Sequence, residues 1–85
     1  MDFAEDISRR CRWALIHNDG TPNPAWSTGE RLAVALVLVD DAYLAAEGYT
    51  KTQALTRLAG DIGGANVGAW LAYVRGELEE DDGNG

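Results

Sequence analysis

The sequence predicts an all-α domain, a compact bundle or orthogonal array of about four helices with a buried second helix at its centre. Three observations carry this. Apolar residues recur at helical spacing through four segments. Two of those segments open on a capping-box spacing, Ser27 with Glu30 and Thr50 with Gln53. Residues 32–39, Leu-Ala-Val-Ala-Leu-Val-Leu-Val, are apolar on every side, as in a helix covered all round.

The first helix is expected over Phe3–His17, with Phe3, Ile7, Cys11, Ala14 and Leu15 on its apolar face. Glu5 with Arg9 and Asp6 with Arg10 are acid-before-base pairs four apart. Asn18-Asp19-Gly20 stops the helix, with Gly20 free to take a positive φ. Pro22 and Pro24 make Thr21–Trp26 a loop, and Trp26 is expected to fold back onto the core.

The second helix is expected from Thr28 to Glu47, ending at Gly48. Val34, Val37 and Val39 also suit a buried strand, but the cap before them and the turn-free run after them favour helix. The third begins at the Thr50 cap, with Ala54, Leu55, Leu58 and Ala59 as its buried stripe, and Gly60, Gly63 and Gly64 end or bend it. The fourth runs from about Ala65 to Glu80, capped by Asn66 or Asp61, with Val67, Trp70, Leu71, Val74 and Leu78 on one face. Acids at its C-terminal end oppose the helix dipole, so the last turn is expected to fray and Gly83-Asn84-Gly85 to be disordered. The expected division is therefore a single helical domain over 1–78 and an acidic tail over 79–85.

Eighty-five residues make one domain with a stability of roughly 4–13 kcal/mol. A deep substrate cavity would take core that so small a chain can ill spare. The net charge is −7, but Glu77, Glu79, Glu80, Asp81 and Asp82 supply five of the fourteen acids. Residues 1–76 hold the other nine acids and all seven bases, a balance of −2. That argues against non-specific attraction to nucleic acid. It argues equally against an acidic DNA mimic, which needs charge spread over a rigid face. The one cysteine, Cys11, points to a reducing compartment. The acidic start does not read as a signal peptide, and the longest apolar run is too short to span a bilayer. A cytoplasmic protein is expected, with no membrane partner.

No catalytic, cofactor or metal site is expected. His17 has no nucleophile elbow around Ser27. Cys11 lies among arginines that could activate it, but on the apolar face. Asp40 and Asp41, adjacent on a helix, diverge by about 100° and do not converge on one ion. Gly60, Gly63, Gly64 and Gly68 lack the Gly-Lys-Ser/Thr of a phosphate loop. Arg9, Arg10 and Arg12 read as a self-paired solvated face, with Arg9 able to stack on Trp13.

Trp13, Trp26 and Trp70 are many for this length, and tryptophan is enriched at interface hot spots. With Arg31 and Tyr73 at a rim, they form the candidate partner surface. Residues 54–75 are similar to a helix-turn-helix through Leu58-Ala59, Ile62-Gly63 and the helix that follows. Val67 and Trp70 fall out of register, however. Asn66 and Arg75 are the only evident DNA contacts, with no Lys or Arg earlier in the second helix.

The run Trp26-Ser27-Thr28-Gly29-Glu30-Arg31-Leu32-Ala33-Val34-Ala35-Leu36-Val37-Leu38, then Tyr43-Leu44-Ala45-Ala46-Glu47-Gly48-Tyr49-Thr50, resembles small accessory proteins of actinobacteriophages. The resemblance covers about residues 26–75. It implies a phage protein acting in a bacterial cytoplasm by binding a host protein, and carries over no functional residues. The expected function is a non-catalytic protein-interaction module that modulates a host or phage protein. The alternative is a helix-turn-helix DNA-binding regulator using residues 54–75. A homodimer is a further expectation, because a helix apolar all round needs cover that a second chain can give.

Overall fold

A computed structural model describes residues 2–64 and 66–83, and the side chains of residues 80–83 are not described. The chain order is α1 (Phe3–His17), α2 (Thr28–Val37), α3 (Asp41–Ala46), α4 (Lys51–Asp61) and α5 (Val67–Gly83), with no strand among the described residues. Each helix begins where the sequence supplies a cap. Asp2 accepts from the Glu5 amide, Asp40 from Tyr43 and Asn66 from Ala69. Both expected capping boxes close reciprocally, Ser27 with Glu30 and Thr50 with Gln53.

The expected second helix is two helices. It breaks at Leu38–Asp40, so the described residues form five helices instead of four. The break is a Schellman turn: the Val39 amide donates to the Leu36 carbonyl at 3.3 Å, and the Asp40 amide to Ala35 at 2.8 Å. Such a turn needs a left-handed residue, and Val39 takes that place at φ 56°. The same turn ends α3 at Gly48 and α4 at Gly63, where glycine suits it. Val39 is 59% exposed, so its side chain contributes little packing in return. A left-handed β-branched residue costs about 1–2 kcal/mol, part of which glycine's freedom in the unfolded chain offsets. Val39→Gly is therefore expected to stabilise the fold by about 0.5–1 kcal/mol. Thermal unfolding followed by circular dichroism checks this, and an unchanged or lower midpoint contradicts it.

α2 packs against each of the other four helices. Residues 32–37 are all buried, and Ile7, Cys11, Leu44, Leu58 and Val74 close over them. The central position expected for this helix is observed. Its cover comes from within one chain, which removes the reason given above for a second copy. α5 continues through Gly83, past the expected boundary at Glu80, while the expectation for Asn84 and Gly85 lies outside the described residues.

Smaller differences have local causes. Leu15 is 55% exposed, at the edge of the α1 stripe instead of within it. Asp6 and Arg10 pair at 2.9 Å as expected, but Glu5 and Arg9 do not, and Arg9 makes no ion pair among the described residues. Arg10, not Arg9, does the stacking, and its partner is Trp26 at 5.1 Å.

Candidate functional site

The structure separates the sequence-predicted surface into two groups at opposite ends of α1. Trp13, Trp26 and Arg31 belong to the first. The Trp13 and Trp26 rings meet edge to face at 5.3 Å, and His17 lies 5.6 Å from Trp13 on the other side. Arg10 covers Trp26 while pairing with Asp6 and Glu30, each at 2.9 Å. Arg31 donates to the Trp26 carbonyl at 3.1 Å, the Tyr43 hydroxyl at 3.1 Å, Thr28 and the Glu47 carboxylate. The hydrogen bond to Tyr43 raises its pKa, against a lowering by burial, and the bond to Glu47 adds to the rise. Arg10 and Arg31 are both spent on neighbours. This group clamps the Thr21–Trp26 loop and α3 onto α2.

Trp70 and Tyr73 belong to the second group. Trp70 stacks on Phe3, ring centroids 5.6 Å apart and planes inclined by 27°. The stack floors an open groove of roughly 510 Å³, walled by Ala4, Ile62 and Tyr73 and edged by Asp2 and Asp61. Three elements build it: the first turn of α1, the end of α4 and the exposed flank of α5. Phe3 reaches Trp70 because α1 and α5 lie against each other, an arrangement that buries Val74 one turn on. Asp61 is held by Arg57 at 3.5 Å and faces the start of α2. A Cβ at Gly29 would stand 2.7 Å from an Asp61 oxygen, so a side chain there would make the Asp61 carboxylate shift. Tyr73 is 55% exposed and also borders the next hollow along α5, beside Glu77 and Glu79.

Sequence reasoning named Trp70 and Tyr73 but missed Phe3, Ile62, Asp2 and Asp61. Phe3 was placed on the core face, and its neighbours come from the far end of the chain. The two DNA candidates are both committed locally. The Asn66 side-chain oxygen accepts from the Ala69 amide at 3.0 Å. Arg75 donates to the Leu36 and Val37 carbonyls at 2.9 and 3.0 Å.

Cys11 is fully buried, and burial pushes its thiol up to about 12, against a smaller opposing pull from Arg12. The raised value keeps the native thiol neutral across the range in which an unfolded-state thiol ionises, from about 8.5 upward. Native protein at pH 9 is expected to react with a disulfide reagent only at the rate of opening, and at once in denaturant. Fast native reaction contradicts this burial. Among the described residues no three His, Cys, Asp or Glu gather as a metal would need, and no helix is long and apolar enough to cross a membrane. No family model, curated protein or solved structure matches the chain.

Proposed function

We propose that this protein is a small non-catalytic protein-interaction module, phage-encoded and acting in the bacterial cytoplasm, that modulates a host or phage protein through the Phe3–Trp70–Tyr73 groove. The observation that supports this reading is the open groove itself. It offers a stacked aromatic floor and an exposed tyrosine on three rigid helices, while the other two tryptophans are spent on internal contacts. Aromatic anchors in a pocket of this kind carry most of the energy of protein interfaces. The accessory-protein resemblance supplies the phage context.

The helix-turn-helix alternative is less well served. Duplex binding by residues 54–75 would need Arg75 to leave two buried carbonyls and Asn66 to abandon a helix cap. The test compares wild type with Tyr73→Lys as bait in nuclease-treated actinobacterial lysate. Wild type is expected to retain a stoichiometric protein that the variant retains roughly tenfold less, at unchanged helicity. Equal retention by both baits contradicts the assignment of the groove. Duplex affinity that falls steeply with salt would favour the regulator instead.

A further inference from the structure

Resting on that docking reading, we infer that the groove takes a basic segment of a partner protein, an apolar or aromatic anchor flanked by lysine or arginine. The floor accounts for the anchor. Phe3, Trp70 and Ile62 offer apolar surface that an aliphatic or aromatic side chain covers. The edges account for the charge. The side chains lining the groove include two acids, Asp2 and Asp61, and no base. Beyond Tyr73 the adjoining hollow repeats the pattern, with Glu77 and Glu79 and again no base. A segment crossing Tyr73 therefore passes from two acids to two more, of which Glu77 has Arg12 beside it, the guanidinium donating to the Glu77 carbonyl at 3.4 Å.

Of the three helix ends beside the groove, α4 supplies this sign, while Trp70 stands at the positive start of α5, whose first turn holds no acid. The groove lies at the C-terminal end of α4, where the dipole is negative and attracts cations. The opposing positive end of α1 is answered by the Asp2 cap and by Glu5 and Asp6 in its first turn. Arg57 approaches Asp61 from the α2 side at 3.5 Å and is itself partly exposed, a pair that offsets little of the edge charge. The chain as a whole carries −7, which steers basic segments inward and repels phosphates. A second copy of the chain is a poor occupant. A two-fold contact sets the same patch against itself, so Asp2 and Asp61 would face carboxylates.

The test uses the intact protein and the tryptophan indole N–H signals in a nitrogen-15 NMR spectrum, one for each of the three tryptophans. Two short synthetic peptides share a Trp-Leu core, one flanked by lysines and the other by glutamates. The lysine peptide is expected to move the Trp70 signal while those of Trp13 and Trp26 stay, with affinity falling as salt rises. The glutamate peptide is expected to bind at least tenfold more weakly. The double variant Asp2→Asn with Asp61→Asn keeps an N-cap on α1 and removes both edge charges. It is expected to bind the lysine peptide roughly three- to tenfold more weakly, with the rest of the spectrum unchanged. Equal binding of both peptides at Trp70 overturns the charge inference and leaves the docking reading standing. If neither peptide moves Trp70, or if Trp13 and Trp26 move in its place, both are overturned.

Discussion

Leu58→Ala is expected to cost about 2–5 kcal/mol. Leu58 is almost wholly buried where α4 meets the central helix, so its removal leaves a cavity that two packed backbones cannot close. Against a total of roughly 4–13 kcal/mol, that loss brings the domain near its unfolding threshold. At about 4–8 °C per kcal/mol, the melting midpoint is expected to fall by on the order of 10 °C or more. The groove would suffer with it, because Asp61 and Ile62 lie one turn further along α4. Leu15→Ala is the matched control. Leu15 is half exposed, and its truncation is expected to stay within about 0.5 kcal/mol. Thermal and urea unfolding of the two variants side by side checks this. A larger loss for Leu15 than for Leu58 contradicts the placement of α4 on α2.

Arg75→Met is expected to be the second largest loss, about 1–2 kcal/mol. The early end of α2 leaves the Leu36 carbonyl with the 3.3 Å bond from the Val39 amide, and Arg75 reaches across from α5 to donate to it and to the Val37 carbonyl. Its cation also sits at the negative pole of the α2 dipole. Methionine keeps the aliphatic stem and removes only the donors, so packing changes do not confuse the result. The figure is at the lower part of the range for charged hydrogen bonds because Arg75 is exposed and water can replace part of what is lost. Arg75→Lys is expected to recover less than half of the difference, since one ammonium cannot reproduce the fork that spans two carbonyls. Full recovery by lysine would show that charge alone, not the paired donation, holds the α2 end.

The local parts of this fold are legible in the sequence. Ser27-x-x-Glu30 and Thr50-x-x-Gln53 mark two helix starts because a capping box is satisfied within four residues. Residues 32–37 declare a central element because a run apolar on every side needs cover all round, and the Ser27 cap before it makes that element a helix. The break at Leu38–Asp40 is not legible from propensity, since Val39 is among the least suited residues for a left-handed turn. One signal is present: Asp40 is a good N-cap and Asp41 suits a first helical turn, although the same two residues also read as an uninterrupted continuation of the helix before them. The groove was half legible. Trp70 and Tyr73 stand out by type, whereas Phe3 and Asp61 join them only through the packing of α1 and α4 beside α5. No periodicity within one helix encodes that meeting. Arg31 and Arg75 show the converse, since basic residues that look available in sequence prove to be structural ties.

The central claim is that the partner docks on the Phe3–Trp70–Tyr73 groove. A photo-crosslinking amino acid placed at Tyr73, with the same group at Ile16 as comparison, tests it most directly. Ile16 is the more exposed of the two, at 73% against 55%, and lies at the other end of α1 from Phe3. Irradiation in cells is expected to join a single partner protein to the Tyr73 position and nothing of comparable yield to Ile16. A stoichiometric partner captured at Ile16 and absent at Tyr73 would contradict the claim and move the interface to the C-terminal end of α1.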